Sequence, residues 1–151
     1  MSKDASNIHN SAARLLAVQA VYQMISNDQA AADLVPEYLA HRAGMDMDGD
    51  GEKMAKPNEP LFSEIVQGIE ANREHLLGLI AANRSGDPEK AMEPLLKSVL
   101  LCGSFELVGK QATDFPIIIS DYVDIAKAFF EGKEPGLVNG ILDSIRKVTR
   151  D

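Results

Sequence analysis

Cysteine is nearly absent from this chain. Cys102 stands alone among 151 residues, so no disulfide can close within it. The thiol lies inside an apolar run with no cationic neighbour to favour the thiolate, which reads as a small buried hydrophobe. A single cysteine also points to a reducing compartment. Long hydrophobic runs are missing as well. No stretch is long enough to span a bilayer, and the opening Met1-Ser-Lys-Asp-Ala-Ser-Asn-Ile-His-Asn10 is polar, without an apolar signal core. These absences predict a soluble cytoplasmic protein with no membrane partner. Positive charge is in short supply: 15 Lys and Arg face 23 Asp and Glu, for a net −8. Phosphate neutralisation dominates nucleic-acid binding, so such a body does not grip nucleic acid by itself. It suits one local basic surface or work beside a basic partner, and it equally suits plain solubility.

The usual catalytic constellations are missing too. The histidines His9, His41 and His75 fall in three separate segments without metal-ligand spacing. No Gly-rich phosphate loop precedes a helix, and there is no nucleophile elbow. Asp121 and Asp124 lie one helical turn apart, the spacing of a solvated face. Asp46, Asp48, Asp50 and Gly51 open like a calcium-binding EF-hand loop. The twelfth position, however, is Pro57 where a bidentate Glu is required. Residues 44–58 read instead as a flexible acidic surface loop. The expectation is a non-enzyme with no cofactor and no metal site.

What the chain does have is helical periodicity. Asn10 or Ser11 can cap a first helix whose Leu15, Val18, Tyr22 and Ile25 share a face, ending at Asn27-Asp28. A second helix carries Leu34, Val35, Tyr38 and Leu39. Pro36 either opens it or interrupts it. Phe62, Ile65, Val66 and Ile69 continue into Leu76, Leu79 and Ile80 along one long helix or a pair. Ser85-Gly-Asp-Pro88 is a turn. Pro94 opens a helix with Leu95, Val99, Cys102 and Leu107, and Gly109 closes it. Two more segments follow, with stripes Ile119, Val123, Ala126, Phe130 and Val138, Ile141, Leu142, Ile145. Gly132-Lys-Glu-Pro-Gly136 is read as the turn between them. Ile117-Ile118-Ile119 is the only β-like string, and it runs straight into helical spacing. The fold class is therefore all-α: a compact bundle of about six or seven helices in a single domain over residues 1–151. A domain of that size buries about 68–70% of its unfolded surface and needs no disulfide or metal.

Three segments in register carry a family resemblance. Ser11-Ala-Ala-Arg-Leu-Leu-Ala-Val-Gln-Ala-Val-Tyr-Gln-Met24 resembles the first helix of the bacterial NusB transcription antitermination factors. Asp121-Tyr-Val-Asp-Ile-Ala-Lys-Ala-Phe-Phe130 with Leu137-Val-Asn-Gly-Ile-Leu-Asp143 resembles their last two helices, and Ser104-Phe-Glu-Leu107 the end of the helix before them. The resemblance implies two helical subdomains and no catalysis. It implies pairing with the ribosomal protein NusE, binding of single-stranded boxA-type RNA, and service to the RNA polymerase antitermination complex in ribosomal RNA operons. By position, Arg14 would meet a phosphate. Tyr22 would either stack on a base or lie buried in its stripe. Lys133 and Asn139 would border the RNA near the C-terminal turn, unless Asn139 braces the helix pair. Gly140 would serve close helix packing.

One departure matters. The family carries a run of arginines or lysines at the start of the first helix, where this chain reads Ile8-His-Asn-Ser-Ala-Ala-Arg14. Leu101 also stands where an arginine is usual, and Leu96 where an acid occurs. Fewer cations predict weaker RNA binding alone and strong dependence on the partner. The alternative is a divergent paralogue that keeps the protein partner and has lost RNA. A similar domain precedes ribosomal RNA cytosine methyltransferases; that reading needs a nucleotide-fold catalytic domain with its own cysteines, which these 151 residues do not contain, so it would require a truncated chain. The state in solution is expected to be monomer or homodimer.

Overall fold

Proline and short polar side chains set where most of these helices begin. The computed structural model describes residues 3–41, 55–87 and 90–150, with side chains 3–6 and 41 left aside. In chain order the helices are α1 (Lys3–Asn27), α2 (Ala31–His41), α3 (Glu59–Asn83), α4 (Pro94–Gly109), α5 (Phe115–Phe129) and α6 (Glu134–Thr149). Four of them, α3 to α6, carry a proline in the first turn, where the missing N–H costs nothing. Asn58 caps α3 by accepting from the Leu61 N–H at 3.1 Å. Glu93 caps α4, with one carboxylate oxygen on the Leu95 N–H and the other on Leu96, each at 3.0 Å. Among the described residues there is no strand.

Several boundaries differ from expectation for local reasons. α1 starts at Lys3, well before Asn10, because residues 3–9 contain no Gly or Pro and extending a formed helix is cheap. Asn10 does not cap its own helix; its side-chain oxygen accepts from Asn58 Nδ2 at 2.9 Å, tying α1 to the start of α3. α2 begins five residues before Pro36, so the proline sits inside the helix. It is exposed there and removes one backbone donor. α3 is continuous apart from Asn72, whose backbone (φ −124°, ψ 22°) breaks the helical run. The turn before α6 is shorter than Gly132 to Gly136, since the helix already starts at Glu134. Of the acidic loop expected over 44–58, residues up to 54 lie outside the described residues, and the Asp46/Asp48/Asp50 motif with them.

One continuous core joins the six helices. α4 is its axis, packing against α1, α3, α5 and α6. Its sequence is apolar on every side, and Val99 to Ser104 are all buried, as expected of a helix surrounded by others. α2 packs only on α1 and α3, where the Tyr38 and Phe62 rings stack at 6.1 Å. Close approach between α4 and α6 requires Gly103: a Cβ there would lie 2.7 Å from a methyl of Leu142. Gly140 corrects an expectation, because a Cβ on it would meet nothing within 4 Å. It sits on the outer face of α6 and is not a packing glycine. In α5 the buried residues are Ile118, Ile119, Tyr122, Ile125 and Ala126. Phe130 falls just beyond the helix, so the predicted stripe is displaced by part of a turn.

Candidate nucleic-acid interface

Arg14 points inward. It is 2% exposed, and its three guanidinium nitrogens are all engaged: Nε with Glu106 at 2.8 Å, Nη2 with Glu106 at 3.0 Å and Nη1 with Asp121 at 2.7 Å. The Tyr122 hydroxyl donates to the same Glu106 carboxylate at 2.5 Å, and the Ser11 hydroxyl donates to Asp121 at 2.8 Å. Burial opposes the arginine's charge, but the hydrogen bond and charge of Glu106, with Tyr122 and Asp121 behind them, outweigh it and raise its pKa. Tyr122 is pushed well up, first by burial and then by the Glu106 charge. Arg14 is therefore the ionic pin that joins α1 to α4 and α5. With each guanidinium nitrogen bonded to a carboxylate and the side chain buried, its geometry does not fit the expected phosphate contact.

A second arginine binds the C-terminal end of α4. Arg150, just past α6, donates to the carbonyls of Leu107 (2.8 Å), Thr113 (2.6 Å) and Lys110 (2.9 Å), and more distantly to the carbonyl of Glu106 at 3.2 Å. Its guanidinium thus closes the C-terminus of α4, where unpaired carbonyls gather. Asp121 also differs from its reading as part of a solvated face: it is half-buried and bonded to Arg14 and Ser11. The signal for this network was a Glu inside the apolar run Leu100-Leu-Cys-Gly-Ser-Phe-Glu-Leu107. A carboxylate buried on such a helix requires a cation, and the cation is Arg14 of α1.

The other expected site residues are at the surface. Tyr22 is 41% exposed on α1, so burial in the stripe is excluded. Lys133 is exposed at the N-cap of α6 and forms no ion pair among the described residues. Asn139 is exposed on α6 and lines an open groove of about 400 Å³ between α5 and α6 with Phe115, Val123, Lys127 and Asp143. The groove thus brings Asn139 and Lys127 together. Lys127 lies 4.0 Å from Asp124 and is little restrained by it. Arg146 lies over the Phe115 ring at 4.3 Å and donates to Asp143 at 2.5 Å. That hydrogen bond, with help from Lys147, holds the Asp143 carboxyl below its ordinary value. Phe129 (37% exposed) and Leu137 (38%) flank the α5–α6 turn on either side of Lys133. These two were not singled out in the sequence, where each merges with a helical stripe. An exposed aromatic ring is a platform on which an unpaired base can stack.

The sequence pattern of the NusB family matches residues 11–147. The chain is 38% identical over 151 residues to the transcription antitermination protein NusB of Sphingopyxis alaskensis, covering 99% of each chain. It is 36% identical over 142 residues to the protein of the same name from Caulobacter vibrioides, covering 93% of this chain and 94% of the relative. With the Sinorhizobium fredii protein it shares 39% over 140 residues, covering 92% and 86%.

Proposed function

The chain belongs to the NusB family, and from that premise we propose that it is a non-enzymatic transcription antitermination factor that binds boxA-type RNA together with NusE. The observation that carries the reading is the full-length similarity to proteins named for antitermination. The exposed Tyr22 and Lys133 support it further. In this reading Tyr22 stacks on a base, Lys133 meets a phosphate, and Asn139 offers an amide to the RNA. The acidic body contributes few phosphate contacts, and the basic ribosomal partner supplies most of them. Such a factor works in the cytoplasm; among the described residues no helix is long and apolar enough to cross a membrane.

The test is a titration of labelled boxA RNA at several salt concentrations, with and without NusE. Each phosphate contact to a single strand contributes about −0.7 to the slope of log affinity against log salt. The chain alone is expected to bind weakly with a slope of about −1, and the pair tightly with a slope several times steeper. No complex in either case at low salt contradicts the reading.

A second reading, a paralogue that keeps NusE and has lost RNA, is favoured by one observation. The only Arg or Lys among the described side chains of α1, Arg14, faces the interior. Binding of NusE with no RNA complex in its presence would select that reading.

A further inference from the structure

Three cations that form no ion pair among the described residues gather at one place on this acidic protein. Arg84, Lys90 and Lys97 rim a half-open pocket of about 280 Å³ whose apolar lining includes Leu77, Ile80 and Met92. It lies where the end of α3 gives way to the start of α4. Among the described residues none of these three forms an ion pair. By contrast Lys110, Lys127, Arg146 and Lys147 each lie within 4.0 Å of a carboxylate. Arg84 is fixed in place, its Nη1 donating to the Lys90 carbonyl at 2.9 Å. Glu93, at the foot of α4, uses both oxygens to cap that helix. None of Tyr22, Lys133 and Asn139 lines the pocket.

We propose that this pocket docks an acidic segment of a partner protein, one apolar side chain entering between Leu77, Ile80 and Met92 while flanking carboxylates meet Arg84, Lys90 and Lys97. The volume lies just below the roughly 300–1,000 Å³ of small-molecule sites, which suits one or two side chains. The lining has no aromatic ring on which a base would stack, so single-stranded RNA is the poorer occupant. Charge complementarity selects the partner: the net −8 of the whole chain repels an acidic segment elsewhere and this rim attracts it. Lys97 is half-buried and lines the pocket, as suits a lysine that covers apolar surface with its stem and keeps its charge in water.

The test uses the full chain and a fluorescein-labelled octapeptide alternating Glu and Leu, read by fluorescence polarisation, with a Lys-Leu octapeptide as control. The Glu-Leu peptide is expected to bind saturably and the control not to bind. The double reversal Lys90→Glu with Lys97→Glu is expected to weaken binding roughly tenfold or more at an unchanged melting temperature. Ala91→Trp, an exposed position that would fill the pocket, is expected to do the same. Affinity for boxA RNA in the presence of NusE should be unaltered in both variants. Absence of saturation up to about 1 mM peptide overturns the proposal. So does equal binding by the reversal variant, loss of RNA rather than peptide binding, or a self-association by sedimentation that the reversal abolishes.

Discussion

Arg14 shows how one residue's role depends on what surrounds it. In the sequence it is the last basic residue of a depleted run; in the fold it holds Glu106 and Asp121 together beneath α1. Truncating one partner of a buried ion pair leaves the others uncompensated. Arg14→Ala is therefore expected to cost about 3–5 kcal/mol in urea unfolding, and any loss of RNA binding would follow from that instability. Tyr22→Ala is the contrasting case. Its ring is exposed, so stability should hold, while affinity for boxA RNA with NusE should fall by about 1–3 kcal/mol, the usual value of one stacked base. Composition treats every arginine as available to solvent, which is why the burial of Arg14 was not legible. The matched Glu106 in an apolar run was the clue.

The same cluster sets a pH dependence. Burial, and next the Glu106 charge, push the Cys102 thiol and the Tyr122 hydroxyl well above their ordinary values of 9.0 and 10.0. The folded chain thus holds both protons more tightly than the unfolded chain. That stabilisation is complete below the unfolded values and is lost as pH rises through the folded ones. The melting temperature should fall progressively above pH 9, the ordinary thiol value. Tyr122→Phe should start lower, having lost its bond to Glu106, and fall less steeply above pH 10, the ordinary phenol value. A wild-type melting temperature level through that range would contradict the assignment.

Among the elements, the six helices were largely readable because proline and apolar spacing mark them independently. The α6 stripe Val138, Ile141, Leu142, Ile145 is buried as its spacing predicts. The α5 stripe was displaced because Ile117-Ile118-Ile119 offers three adjacent candidates, and periodicity alone does not say which of them faces α4. Glycine roles were not legible either, since they depend on a neighbouring helix. Two substitutions separate the cases. Gly103→Ala would drive a methyl against the fully buried Leu142 and should destabilise by about 1–3 kcal/mol. Gly140→Ala meets nothing and should stabilise by about 0.5–1 kcal/mol through helix propensity. Thermal melts of both variants check the pair.

Across the whole molecule, Arg14 from α1 and Arg150 from the end of α6 both bind α4 at Glu106, one at its carboxylate and one at its carbonyl. Tyr22, Lys133 and Asn139 are exposed, and on the proposed function they are the groups that would meet an unpaired RNA. Family membership was legible from three segments in register. Which of the matched residues reach solvent was not, because that follows from how α1, α5 and α6 seat on α4. The most direct measurement is boxA RNA affinity of the NusE pair, compared between wild type and Tyr22→Ala with Lys133→Glu. The account predicts tight binding by the wild-type pair and at least a roughly tenfold loss in the double variant, at unchanged stability and NusE affinity. Equal RNA affinity in the two, or no RNA binding by the wild-type pair at low salt, would contradict it.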